Sequence, residues 1–188
     1  MKKQMYVLLF AVLLLASGTV TIVAQEEEHI MPPMGAPDEI KALGWMVGDW
    51  QVDQKWRMDP NSDKYESSAA TATYYYSLDS CVLIMDYKSE MMGMKFEGRF
   101  FETYDRGSKM YQTIWIDNMG ARMSYYTGNK EEAGMVYYGD DYMPDGTKAK
   151  FRVSVLNATE KSFDWHMDFS FDGGKTYINS GKAKYTKK

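Results

Sequence analysis

From Trp50 onward the chain alternates apolar and polar side chains. Trp50, Val52 and Trp56 fall on one face, and Gln51, Asp53, Lys55 and Arg57 on the other. A period of two marks a strand with one buried face. The turn cluster Asp59-Pro60-Asn61-Ser62-Asp63 ends this run, and Ala69 to Tyr76, rich in Thr and Tyr, reads as the second strand. Further strands are expected over Ser80 to Tyr87, Met94 to Glu102, Met110 to Ile116, Arg122 to Thr127, Gly134 to Gly139, Ala149 to Leu156, Ser162 to Phe171 and Ile178 to Thr186. In the fourth, Met94, Phe96, Gly98, Phe100 and Glu102 alternate with Lys95, Glu97, Arg99 and Phe101. In the ninth, Phe163, Trp165, Met167 and Phe169 share a face. About ten short strands at regular spacing, joined by turn residues, predict an all-β antiparallel sandwich or barrel.

One helix precedes them, over about Pro37 to Met46. Proline suits a first helical position, and Asp38 and Glu39 suit the first turn. Ile40, Leu43, Met46 and Val47 recur at helical spacing. Gly48 is placed to end the helix in a left-handed conformation. A helix leading straight into the first strand suits a closed barrel with a plug at one end, and Trp45 and Trp50 flank that joint.

The N-terminus changes the picture of compartment. Lys2 and Lys3, the apolar run Tyr6 to Ala16, then small residues ending Ile22-Val23-Ala24 have the order of a secretory signal peptide. Residues 1–24 are therefore expected to be a signal, removed after Ala24 or retained as an anchor. The run is short of the roughly 20 residues of a membrane span, so no stable span is expected once the signal is cleaved. Residues 25–36, acidic and proline-containing, read as a flexible lead-in, and 37–188 as a single domain. Secreted or periplasmic localisation follows from this order.

Charge excludes one class of partner. The net charge is −4, and losing Lys2 and Lys3 takes it to −6. An acidic chain without a basic cluster is a poor nucleic-acid binder. Cys81 is the only cysteine, so no intramolecular disulfide forms, and its neighbours Val82, Leu83 and Ile84 predict burial.

Particular stretches carry a resemblance. They are Leu43 to Trp50, with its Leu-x-x-x-x-Gly-x-Trp joint, "FEGRFFETYD" (96–105), "KMYQTIWIDNMG" (109–120) and the closing "DGGK…YTKK". They resemble the uncharacterised bacterial family DUF1579 over most of the mature chain, and more broadly the lipocalin-like (calycin) barrels. The resemblance implies a barrel with no established reaction. A more distant likeness to nitrobindin-type barrels implies haem bound through a histidine near the C-terminal end. The strand Asn179 to Lys188 contains no histidine, so no cofactor is expected.

Catalytic and metal chemistry find little support. His166 shares a strand face with Asp164, Asp168 and Ser170, opposite the apolar face, and is expected at the surface. A zinc site needs several His or Cys ligands, which are lacking. No Gly-x-Ser-x-Gly elbow is present. "SFDGGKTY" (170–177) matches an Asp-box, read here as a hairpin turn in which Asp172 accepts backbone bonds. Asp140, Asp141 and Asp145 miss the calcium-loop spacing and read as solvated turn carboxylates. The many methionines, including Met91, Met92 and Met94, could bind Cu(I) but more simply fill core gaps.

The positive signal is aromatic. Trp50, Trp56, Tyr74, Tyr76, Tyr111, Trp115, Tyr125 and Trp165 lie on predicted strands. They are the candidates for lining an interior site, with Arg99 as a charged anchor, although Arg99 alternates opposite Phe96 and Phe100. The leading expectation is a non-enzymatic barrel holding a small apolar or amphipathic molecule. A filled core with a working surface, and a haem-binding or enzymatic barrel, are the alternatives.

Overall fold

The computed structural model describes residues 33–188 apart from positions 58, 60, 61, 92, 121 and 144. The expected signal peptide and residues 25–32 of the lead-in lie outside the described residues, as do Met92 and the side chain of Met91. A short helix α1 (Asp38–Lys41) runs into a 3-10 segment (Ala42–Met46). Ten strands follow: β1 (Gly48–Trp56), β2 (Glu66–Ser77), β3 (Val82–Met91), β4 (Met94–Asp105), β5 (Met110–Asp117), β6 (Met123–Glu131), β7 (Gly134–Tyr142), β8 (Lys148–Leu156), β9 (Ser162–Ser170) and β10 (Ile178–Lys187). Each pairs antiparallel with its sequence neighbour, and β1 pairs with β10 to close the barrel. Closure leaves no edge strand to aggregate.

The period of two fixes which side chains face inward. On β1 Trp50, Val52 and Gln54 are buried while Asp49, Asp53 and Lys55 are exposed. Cross-strand partners carry that face around the barrel. Val52 pairs with Tyr185, and Tyr185 with Phe163, whose rings stack with centroids 4.3 Å apart.

The N-terminal segment covers one end. Ile40 is fully buried, and Leu43 and Met46 join the same core. Tyr76 Oη donates to the carbonyls of Ile40 and Lys41 at 2.7 and 3.1 Å, and Tyr111 Oη to that of Glu39 at 3.2 Å. The expected helix is one α turn followed by a tighter 3-10 turn. The switch falls where the Tyr76 hydroxyl takes the Ile40 and Lys41 carbonyls and lies against Gly44. Gly48 does not cap the helix. The segment ends at Met46, Val47 is extended, and Gly48, with φ of 127°, opens β1.

The Trp45–Trp50 joint is an edge-to-face pair with centroids 6.3 Å apart. Trp50 Nε1 donates to the Met46 carbonyl at 2.7 Å, and Lys187 Nζ to that of Trp45 at 2.8 Å. The last strand thereby ties the plug to the first. Cys81 departs from expectation. It is half-buried in the β2–β3 turn rather than on a strand. Leu78, Asp79 and Ser80 before it all have left-handed φ values of 51–64°, a tight reversal that holds position 81 outside the ladder.

Candidate functional site

Two glycines shape the interior. A Cβ at Gly98 would collide with the Trp115 ring, and one at Gly181 would stand 2.6 Å from Trp56 Cζ3. Each tryptophan thus lies flat on a bare stretch of wall. For Gly181 the register helps, because a bulge between Asn179 and Gly181 sets the glycine opposite Trp56. The Gly98-Arg99 pair that carries the family resemblance gains a physical meaning: Gly98 seats Trp115 inside, and Arg99 works outside.

Trp115 stacks on Phe96 (6.2 Å) and meets Tyr87 edge-on (6.0 Å), while Trp56 meets Trp165 edge-on (5.6 Å). These inward side chains are packed against the core but not sealed in it. Trp56, Phe96, Phe100, Trp115, Val153, Trp165 and Met167 all remain part-exposed. Trp50, Tyr74 and Tyr111, beneath the plug, are buried. The inward residues directly beneath the plug are therefore sealed, while part of the wall beyond it is not, although Phe151 and Phe169 on β8 and β9 are buried as well. Tyr76 is inward and part-exposed, with its hydroxyl committed to the plug.

Two of the expected lining residues lie outside. Arg99 is about half-exposed and pairs with Asp86 on the outer face, Nε to Oδ1 2.6 Å. Its place opposite Phe96 and Phe100 sends it there. Tyr125 is 49% exposed, beside Ile114 on the outer wall. Its small neighbour Ser124 is the inward residue, next to Trp115.

Polar groups also enter the lumen. Toward the end away from the plug, Gln54 accepts from Tyr87 Oη and from Trp56 Nε1 (2.9 Å), and donates to Ser68 Oγ (2.9 Å). Nearer the plug lies Glu102, on the inner face of β4 and 2% exposed. Tyr137 Oη, on β7, donates to Glu102 Oε1. Two strands separate β4 from β7, so this bond crosses the lumen. Among the described residues no lysine, arginine or histidine forms an ion pair with Glu102. Burial pushes its carboxyl up to about 7, against the lowering effect of the Tyr137 bond. Burial likewise raises the Tyr74, Tyr87 and Tyr137 phenols, and that of Tyr111 to about 12.

Sequence reasoning missed Glu102. The signal was available, because Glu102 continues the row Phe96, Gly98, Phe100 at the same period. An acid within an apolar row is the exception that points to a special role.

The other motifs resolve as structure. In the Asp-box turn Asp172 Oδ1 accepts from the backbone of Lys175 and Thr176 and from Ser170 Oγ, and Oδ2 from Thr176 Oγ1 at 2.6 Å. Those bonds, the Thr176 hydroxyl first, hold the Asp172 carboxyl below the usual carboxylate range. His166 is on the outer face, in a shallow groove of about 260 Å³ with Asp53, Lys55, Asp164, Lys182 and Lys184. Asp168 and Ser170, expected beside it at the surface, are buried instead. Arg152 donates twice to Asp168 (2.9 and 3.0 Å) and lies 4.2 Å over the Tyr177 ring, and Asn179 closes the cluster. Asp141, expected as a solvated turn carboxylate, is also buried, paired with Arg122 at 2.9 Å and bonded by Tyr126. Among the described residues no group of three acids, histidines or cysteines is placed to hold a metal ion.

Rv2717c from M. tuberculosis has a similar solved structure, with a TM-score of 0.58 at 8% identity over 81% of this chain and 99% of that one. The S-type phycobiliprotein lyase CPES from Guillardia theta is similar at a TM-score of 0.51 and 10% identity, over 79% of this chain and 91% of that one. At such identities the likeness is one of fold. No curated protein matches the sequence. The family profile described as "Protein of unknown function (DUF1579)" matches residues 37–184. The helix, the Gly-x-Trp joint, the glycine-seated tryptophans and all but the end of the last strand fall within that match, and the chain belongs to the DUF1579 family.

Proposed function

We propose that the protein is a non-enzymatic, exported barrel that holds a small apolar or amphipathic molecule in its interior. One observation carries the proposal: inward aromatic and aliphatic side chains stay part-exposed well below the rim. Phe100 and Val153, each mid-strand, belong to this set as well as the rim residues Trp56 and Phe96. A core packed to ordinary density would seal such positions. Apolar walls with few polar groups are the usual lining of a small-molecule site. The fold likeness to a phycobiliprotein lyase supports ligand handling at the level of architecture and lends no residue to it. Export rests on the residue order of positions 2–24. Its check is the intact mass of protein from the fractionated host, where a chain starting at Gln25 is expected and a full-length soluble chain would overturn export.

The neutral dye N-phenyl-1-naphthylamine tests the interior. One dye per barrel is expected to bind, with quenching of tryptophan emission as Trp56, Trp115 and Trp165 are approached. Val153→Trp places a large ring in the lumen opposite Tyr137 and Met167. It should weaken dye binding at least tenfold while far-ultraviolet circular dichroism stays unchanged. Equal binding by the folded Val153→Trp protein would locate the dye on the outer surface and favour a filled core.

A further inference from the structure

We propose that Glu102 and Tyr137 form a polar anchor for the interior ligand and that the group they take is a protonated nitrogen, the ammonium head of an amphipathic amine. The inference rests on interior binding as proposed above.

Four observations carry it. A carboxyl with almost no exposure stands in the lumen without an ion-pair partner among the described residues. Buried carboxylates are nearly always paired or coordinated. Second, the carboxyl is half-used. Oε1 accepts from Tyr137, while Oε2 has no hydrogen-bond partner among the described residues. Third, Tyr74 stands close enough to Glu102 for the two to interact, its hydroxyl has no hydrogen-bond partner among the described residues, and neither that hydroxyl nor Glu102 Oε2 is one of the fully enclosed unpartnered polar atoms, which are Arg57 Nε and Ser89 Oγ. These two open positions together describe a place prepared for a polar guest. Fourth, inward residues that are not sealed adjoin this place. Phe100 precedes Glu102 by two residues on the same face, Val153 pairs with Tyr137, and both are part-exposed.

The chemistry of the guest follows from the groups. An ammonium offers three donors and no acceptor, which suits a carboxylate oxygen and phenol oxygens. The alkyl part would lie back along Trp165, Met167 and Trp115 toward the end away from the plug. A carboxylate guest would meet a like charge at the bottom of the barrel, and an alcohol would leave the charge of Glu102 uncompensated.

The test uses three probes of equal chain length below their micellar concentrations: dodecylamine, dodecanol and dodecanoate. Binding is read by tryptophan quenching at pH 8, with calorimetry for stoichiometry. The wild-type protein should bind dodecylamine at least tenfold tighter than either other probe. Glu102→Gln should lower amine affinity at least tenfold and leave dodecanol unchanged. Tyr137→Phe, which keeps the ring, should lower amine affinity by a smaller factor and guards against a misfolded glutamine variant. Equal binding of amine and alcohol, tighter binding of dodecanoate, or amine affinity indifferent to Glu102→Gln would overturn the anchor while leaving interior binding intact. Failure of all three probes overturns the anchor alone if the naphthylamine dye still binds, and interior binding with it if the dye does not.

Discussion

Replacing Trp50 with alanine is expected to lower the unfolding free energy by about 3–5 kcal/mol, the range for deleting a large buried aromatic side chain. Trp50 is fully buried, and its ring meets Trp45, Tyr74 and Phe163 edge-on at 5.1–6.4 Å. Phe163, already stacked on Tyr185, and Tyr74, whose backbone belongs to the ladder, are poorly placed to collapse into the space. The loss also strands the Met46 carbonyl, which accepts from the indole N–H, and an unsatisfied buried acceptor adds about 1–3 kcal/mol of cost. Trp50→Phe separates the two effects. It keeps most of the aromatic packing and removes the donor, so a loss of about 1–2 kcal/mol is expected. Urea unfolding followed by circular dichroism measures both. A loss below 1 kcal/mol for Trp50→Ala would mean that the joint between plug and first strand does not hold the barrel end closed.

Much of this architecture is legible in the sequence because a strand's period of two survives without any knowledge of its partners. The inner rows of β1, β4 and β9 can be read directly, and the helix-to-strand joint announces itself through Gly48 and Trp50. Errors fall where two adjacent side chains compete for the inward position. At Ser124-Tyr125-Tyr126 the large Tyr125 was the natural choice for a lining residue. The barrel instead turns Ser124 inward, since Trp115 on the neighbouring strand already fills that space. A ligand role for Arg99 runs against its own alternation, and the alternation prevails. Asp168 and Ser170 sit on the outer face as their parity demands, but Arg152, Asn179 and the Asp-box turn cover them. Such cover comes from other strands and leaves no local trace.

The Glu102–Tyr137 pair illustrates the remaining gap. Its members lie 35 residues apart on strands that do not touch, and only closure of the barrel brings them together. Glu102 itself was visible as an acid in an aromatic row. Its partner could not be named without the register of the intervening strands. The glycines were legible only in part. Gly98 and Gly181 have no unusual torsion to betray them, and their role depends on which ring lies over them.

Stability should fall as pH rises through the range 4.5 to 7, and Glu102 is the cause. Burial pushes its carboxyl up to about 7 in the folded barrel, against an ordinary 4.5. Between those values the folded protein holds a proton that the unfolded chain has released. Stability changes with pH in proportion to the protons bound by the unfolded state minus those bound by the folded state. That difference is negative here, so raising the pH destabilises. Below about 4.5 both states are protonated and the group contributes no penalty. Above about 7 both are ionised and the full cost of a buried carboxylate without an ion pair among the described residues is present, on the order of 3 kcal/mol at 1.36 kcal/mol per pH unit. Glu102→Gln should therefore be more stable than wild type by only about 1 kcal/mol at pH 5 and by about 3 kcal/mol at pH 8, because the amide oxygen still accepts from Tyr137 and carries no charge. Urea midpoints for both proteins at half-unit intervals from pH 4.5 to 8.5 supply the comparison. Parallel curves, with no gap opening above pH 6, would show that Glu102 is compensated in the folded barrel. A gap closed by dodecylamine at pH 8 would show that the missing cation comes with the ligand.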